Sequence, residues 1–445
     1  MKRFLSLALI LVMCTAIFAG CGNNATTDSG SDSNSTSDPA DSPKGDTLSI
    51  TISSSFGGDD GNRQNYEDAY KAWETETGNT VVDSSGTANE EWKARILADF
   101  ETGSEPDVLF YYNGIDSNSF VDAGKVVSID EIIAEYPEYA SNIDMDKVPA
   151  SPVDGKKYAL PAIGYWEGLY VNKKVLEESG VDVPGADTTW EEFLEICQKV
   201  KDAGFTPIAA SLHEIPHYWF EFSIFNNGSL STHLTLPTAD NEERQNWIDG
   251  MEDIKELYDK GFFPENTLTA KDEETFLLMA TDEAAFAIDG SWKMNWFPDN
   301  IAAPEDIENY TVTFVPGKGD RKSTEIISGL SMGYYITKKA WDDPAKRDAA
   351  ISLITAMTSD DVISKMSGGS AATALKNTPP AADDANSLQK DAVTMLSSYT
   401  GSVDAVQDLM PQEVREELFS DIKNIVSGSL TAEESIDKVI NGTNK

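Results

Sequence analysis

Thr47-Leu48-Ser49-Ile50-Thr51-Ile52 and Asp107-Val108-Leu109-Phe110-Tyr111-Tyr112 are the two stretches from which the fold class follows. In the first, Leu48, Ile50 and Ile52 alternate with hydroxyl side chains, the period of a strand. The second is apolar almost throughout, as expected of a strand buried on both faces. Between them runs a Ser- and Gly-rich turn from Ser53 to Gly61. Tyr66, Ala69, Tyr70 and Trp73 then mark one face of a helix ending near Gly78. Thr80 to Asp83 reads as a second short strand, and Trp92, Ile96 and Phe100 mark a second helix. Strand, helix, strand, helix, strand is the rhythm of an α/β domain with parallel pairing.

Further along, the pattern begins again. Leu169 to Asn172 predicts a strand, and Lys173 to Ser179 a short helix stopped by Gly180. Thr189-Trp190-Glu191-Glu192 is a capping box, in which the Thr hydroxyl and the Glu carboxylate satisfy helix-end amides reciprocally. The helix it opens carries Phe193, Ile196, Cys197 and Val200 on one face, so Cys197 reads as a small hydrophobe in a core. Ala284 to Ile288, Tyr310 to Val315 and Gly333 to Thr337 are further strand candidates. Asp343-Pro344 caps a helix whose buried face is Ala350, Leu353, Ile354 and Met357. Thr378-Pro379-Pro380 breaks the acidic helical region that follows, and a capped helix runs from Thr431 to Val439.

The N-terminal segment has a different character. Lys2 and Arg3 precede an uncharged apolar run from Phe4 to Phe18, too short and wrongly flanked for a good membrane span. Residues 1–20 are therefore expected to be a cleaved export signal. Phe18-Ala19-Gly20-Cys21 resembles the bacterial lipobox, with Phe18 where Leu is usual, which implies a lipid on Cys21. Residues 21–46 are Ser, Thr, Asn, Asp, Gly and Pro without an apolar cluster, the composition of a flexible tether. The remaining length suffices for two domains. Of three cysteines, Cys14 falls in the signal and Cys21 is the expected lipid site, which leaves Cys197 without a disulfide partner. The formal net charge of −42 disfavours nucleic acid and anionic surfaces and favours neutral or cationic ligands.

Several phrases, taken in order, resemble the extracellular solute-binding proteins of family 1, the maltose-binding-protein-like receptors of bacterial carbohydrate importers. They are Asp154-Gly155-Lys156-Lys157-Tyr158-Ala159-Leu160-Pro161, Gly168-Leu169-Tyr170-Val171-Asn172-Lys173 and Thr189-Trp190-Glu191-Glu192-Phe193. Glu283-Ala284-Ala285-Phe286 through Trp292, and Ser328-Gly329-Leu330-Ser331-Met332-Gly333, complete the set. The resemblance implies a two-lobe periplasmic-binding-protein-like fold of type II, with three crossovers and the ligand trapped between the lobes. On that basis the crossovers are expected near Tyr158–Gly164, Ile288–Trp292 and Ser328–Gly333. Residues 47–160 and 291–330 are then expected to form the N-terminal lobe, and 161–290 and 331–445 the C-terminal lobe.

The same resemblance implies a monomeric lipoprotein on the outer face of the cytoplasmic membrane, passing a mono- or oligosaccharide to an ABC permease without any cofactor. A sugar needs aromatic platforms for its C–H face and directed polar groups for its hydroxyls. Candidate ligand contacts are Ser54, Ser55 and Phe56 after the first strand, Tyr111 and Asn113 after the third, and Tyr165, Trp166 and Glu167 past the first crossover. Trp219, Asp289, Trp292, Ser328 and Gly329 complete the expected site. Of Tyr111 and Tyr112, strand alternation sends one into the core. The acidic charge keeps a cationic solute such as a polyamine open as an alternative.

A different chemistry enters with His213-Glu214-Ile215-Pro216-His217, which fits the H-E-x-x-H zinc-hydrolase pattern. That pattern works when both imidazoles face one way from a continuous helix, and Pro216 opposes helical geometry inside the span. No metal site is expected. The carboxylates show no spacing that singles out a glycosidase pair, although a secreted glycoside hydrolase would share the sugar-binding aromatics.

Overall fold

The computed structural model describes residues 47–58, 60–368, 372–377 and 385–443. The export signal, the lipid-bearing Cys21, the tether and the Thr378-Pro379-Pro380 break lie outside them. Among the described residues no helix is long and apolar enough to cross a membrane.

In chain order the strands are β1 (Ser49–Ser53), β2 (Thr80–Asp83), β3 (Val108–Tyr112), β4 (Tyr165–Asn172) and β5 (Thr206–Ile208). Then follow β6 (Ala284–Gly290), β7 (Tyr310–Thr313), β8 (Glu325–Gly329), β9 (Met332–Ile336) and β10 (Gly401–Val403). They form two sheets. The first has the order β2-β1-β3-β9, with β1 parallel to both neighbours and β9 antiparallel to β3. The second has the order β10-β8-β4-β6-β5, and β7 also pairs with β4.

Both sheets are mixed, with β4 antiparallel to β6, β7 and β8, and each is covered on both faces. In β3, Val108 and Phe110 point to a core with Ile50, Ile52, Tyr334, Leu353 and Ile354. Leu109 and Tyr111 point to the opposite face, against Trp92, Phe100, Phe120 and Tyr335. In β4, Leu169 and Val171 join Phe193, Cys197 and Phe286, whereas Trp166 and Tyr170 join Phe276, Phe297 and Val312. Cys197 is fully buried and unpaired, as its helical position predicts. The Thr189 capping box is present, with Glu192 N–H donating to the Thr189 hydroxyl at 3.2 Å and Thr189 N–H to the Glu192 carboxylate at 2.9 Å.

Strand pairing corrects the expected lobe boundaries. Residues 291–330 do not join 47–160, because β7 and β8 both pair with β4 and extend the second sheet. Residues 332–336 do not join 161–290, because β9 lies against β3 through five residue pairs. Ile288–Trp292 is not a crossover either. Gly290 still pairs with Glu167, and the helix Lys293–Asn300 that follows packs Met294, Trp296 and Phe297 into the second core. The chain passes between lobes at Leu160–Tyr165 and at Gly329–Met332. It crosses again after Leu375, which lies in the first core, and before Leu388, which lies in the second.

The two crossing segments touch backbone to backbone. A Cβ on Gly164 would lie 2.4 Å from the Gly329 carbonyl oxygen, and one on Gly333 2.7 Å from the Leu160 carbonyl carbon. Close crossing of the linkers is what demands glycine at these positions. Asn113 fastens the pair, donating from its backbone N–H to Ser331 O at 2.8 Å and from its amide to Leu330 O at 2.6 Å.

Candidate functional site: a cleft between the lobes

Above the linkers the lobes enclose a cavity of about 450 Å³, within the range of small-molecule sites. Strand alternation decides which β4 residues reach it. Tyr165 and Glu167 project into the cavity, while Trp166 between them turns into the second core and is 1% exposed. The end of β6 adds Asp289, and Trp292 follows at the start of the next helix. Helix His217–Asn227 contributes His217 and Tyr218 from its first turn. Opposite them, the first lobe supplies Ser55 and Phe56 after β1, Asn89 and Lys93 at the start of the helix Glu90–Thr102, and Tyr112 at the end of β3.

The second-lobe wall is aromatic. The Tyr165 and Trp292 ring centroids lie 6.4 Å apart and those of Tyr218 and Trp292 6.0 Å apart. Tyr165 is fixed at its far end, where the Ala405 N–H donates to its hydroxyl at 3.1 Å. That loop is held in turn by buried Glu221, which accepts from Val406 N–H at 3.2 Å and Gln407 N–H at 2.8 Å and pairs with His233 at 2.9 Å.

Three carboxylates sit among these rings. Burial holds Glu167 well above the ordinary carboxylate range, reinforced by the negative charges of Glu221, Asp289 and Asp408. Its Oε2 has no hydrogen-bond partner among the described residues. Burial pushes Asp289 up to about 7 against the attraction of Lys293, 3.8 Å away. Burial likewise lifts Asp408 to about 7, with Lys93 the largest opposing charge. His217 is driven the other way, down to about 3, by burial and by the positive charges of Lys93 and Arg415, so its ring is neutral at physiological pH.

A cluster of alternating charge closes one edge of the cleft. Arg415 lies on the second-lobe helix Gln412–Val426 and is 1% exposed. It donates to Asp116 at 2.8 Å and to Glu90 at 3.1 Å, both in the first lobe. Lys93 joins the same carboxylates at 3.0 and 3.1 Å and lies 4.0 Å from the Tyr112 ring centre. On the other side Asn295 donates to Asn62 at 2.9 Å, again across the cleft.

Of the residues expected at the site, Ser55, Phe56, Tyr165, Glu167, Asp289 and Trp292 line the cavity. Tyr111, Trp166 and Trp219 do not; each is a core side chain, packed against Phe120, Tyr170 and Phe263 respectively. Ser54 is buried beneath the wall, bonded to Ser85 at 2.6 Å. Asn113 fastens the linkers from the end of β3, and Ser328 and Gly329 end β8, where they pair with Trp166 and Tyr165. Sequence reasoning missed Tyr218, which directly follows the H-E-x-x-H stretch, and Asp408, Lys93 and Arg415, which lie outside the quoted motifs. Tyr112, the partner of Tyr111 in the alternation, takes the cleft position.

The H-E-x-x-H residues do not share one continuous helix. The helix begins only at His217, after Pro216, and Glu214 accepts from Asp272 N–H at 2.9 Å. Among the described residues no three His, Cys, Asp or Glu side chains are placed to hold a metal ion.

Two α/β lobes, crossing linkers and a shared cavity define a two-lobe solute-binding protein. The chain belongs to the bacterial extracellular solute-binding protein family, whose model matches residues 60–363. A curated relative, the multiple sugar-binding protein of Streptococcus mutans, is 23% identical over 224 residues, covering 48% of this chain and 50% of that protein. The chain thus spans about half the length of that relative. Among solved structures, a chitin oligosaccharide binding protein superposes with a TM-score of 0.76 at 22% identity, covering 90% of this chain and 99% of that one. The maltose/maltodextrin-binding domain of Bdellovibrio bacteriovorus bound to maltotriose superposes with a TM-score of 0.69 at 18% identity, covering 89% and 98%.

Proposed function

We propose that this protein captures a mono- or oligosaccharide in the interlobe cleft and delivers it to the permease of an ABC importer, without transforming it. The observation that carries this reading is the wall of Tyr165, Tyr218 and Trp292 beside Glu167 and Asp289. The rings offer apolar faces for sugar C–H groups, and the carboxylates accept from hydroxyls. The names of the relatives, a multiple sugar-binding protein and a chitin oligosaccharide binding protein, agree with it. Hinge closure about the crossing linkers supplies the two states that a permease needs to tell loaded from empty receptor. Ligand binding shifts that equilibrium by its preference for the closed form.

The reading extends to location. A lipid on Cys21 and the polar segment 22–46 would hold the receptor, as a monomer, at the outer face of the cytoplasmic membrane. Thermal-shift screening of the purified protein against neutral mono- and oligosaccharides tests the central claim. A ligand at one hundred times its Kd stabilises the fold by about 2.7 kcal/mol. Release of reducing ends from a bound oligosaccharide would make the protein a hydrolase instead. For the anchor, Cys21→Ser should release the protein from the membrane fraction, and membrane retention of that variant argues against lipidation there.

A further inference from the structure

The saccharide reading, on which this inference rests, leaves one feature of the cleft unexplained. Glu167 is 2% exposed, projects into the cavity from β4 and has an Oε2 without a partner among the described residues. The charged groups that bear on it are Glu221, Asp289 and Asp408, all carboxylates. Lys293 is shared between Asp272 at 3.5 Å and Asp289 at 3.8 Å, and Lys93 bears on Glu90, Asp116 and Asp408, so the charges that act on Glu167 include no cation. Burying Glu167 among like charges with no cation of its own is costly. A neutral sugar hydroxyl supplies a hydrogen bond but no charge, so it removes only part of that cost.

We propose that Glu167, with Asp289 and Asp408, forms a subsite for an ammonium group, so that the preferred ligand is a basic saccharide: a hexosamine or short oligosaccharide with a free amine. An ammonium carries three N–H donors and the missing positive charge. Tyr165, Tyr218 and Trp292 line the same cavity, with Trp292 6.4 Å and 6.0 Å from the other two rings, and an aromatic face attracts a cation as well as a pyranose. An amino sugar would set its ammonium against these carboxylates with its ring on Trp292. The strongly acidic chain, at −42, adds long-range attraction for such a ligand.

Isothermal titration calorimetry at neutral pH tests this with four probes: glucosamine trimer prepared from chitosan, its fully N-acetylated counterpart, cellotriose and spermidine. The glucosamine trimer is expected to bind at least tenfold more tightly than the N-acetylated and neutral trimers. Glu167→Gln should erase that difference, bringing the glucosamine trimer to within about threefold of the neutral trimers measured on the same variant. Asp408→Asn serves as the second variant if Glu167→Gln does not fold, and should reduce the amine preference in the same direction. Equal or tighter binding of the N-acetylated or neutral trimer overturns the ammonium subsite and leaves saccharide capture standing. Binding of spermidine alone overturns both readings, and failure of the glucosamine trimer to bind overturns the subsite.

Discussion

Replacing Arg415 tests whether the charged edge of the cleft governs closure. The guanidinium, on a second-lobe helix, is buried and bonded to Glu90 and Asp116 of the first lobe. With Lys93 it makes a set of two cations and two anions. Arg415→Met keeps most of the aliphatic packing but leaves Lys93 alone with two carboxylates. Removing one partner of a buried pair costs roughly 3–5 kcal/mol. The Glu90 side chain retains 27% exposure and Lys93 remains, so we take about 2 kcal/mol. In an open state both carboxylates regain water, so the penalty falls on the closed form. Since about 1.4 kcal/mol is a factor of ten, the ligand Kd should rise roughly thirtyfold. Calorimetry reports the Kd, and small-angle X-ray scattering of the loaded protein reports closure. Glu90→Gln in the Arg415→Met background rebalances the charge and should recover part of the loss. A Kd within threefold of wild type, with an unchanged radius of gyration, refutes the argument.

The remaining predictions separate wall from core and charge from packing. Trp292→Ala should weaken saccharide binding by about 2 kcal/mol with the melting temperature nearly unchanged, whereas Trp166→Ala should cost roughly 3–5 kcal/mol of stability; equal effects in calorimetry and thermal melting would contradict the two placements. Asp289 is held at about 7 when folded, so the folded state binds more protons than the unfolded chain between its ordinary value and 7. Its contribution to stability is therefore greatest at low pH and is lost as pH rises through about 7. Asp289→Asn should flatten the fall in melting temperature between about pH 4 and 7, the window between its ordinary and folded values, and an unaltered slope would exclude Asp289 as its source. Glu221→Gln should destabilise by about 1–3 kcal/mol through the weakened loop contacts and lower ligand affinity by loosening Tyr165; full affinity in a destabilised variant would show that the loop does not position the ring.

Local chemistry, written along the chain, determined the elements of this protein. The alternation at Leu48–Ile52, the apolar run at Val108–Tyr112, the Thr189 capping box and the core placement of Cys197 all depend on neighbours a few residues away. Those signals sufficed for an α/β fold, and the ordered phrases sufficed for the family. Tertiary structure alone decided how the elements were shared out. Whether residues 291–330 join the first or second sheet depends on β7 and β8 finding β4, a pairing with no local mark. The site divides in the same way. Tyr165-Trp166-Glu167 lies at the cleft, but which of its members face the cavity follows from the register of β4 against β6 and β8. Arg415 meets Glu90 and Asp116 only because the lobes bring together side chains about three hundred positions apart. Periodicity records which residues seek burial; the partner that buries them is a property of the assembled sheets.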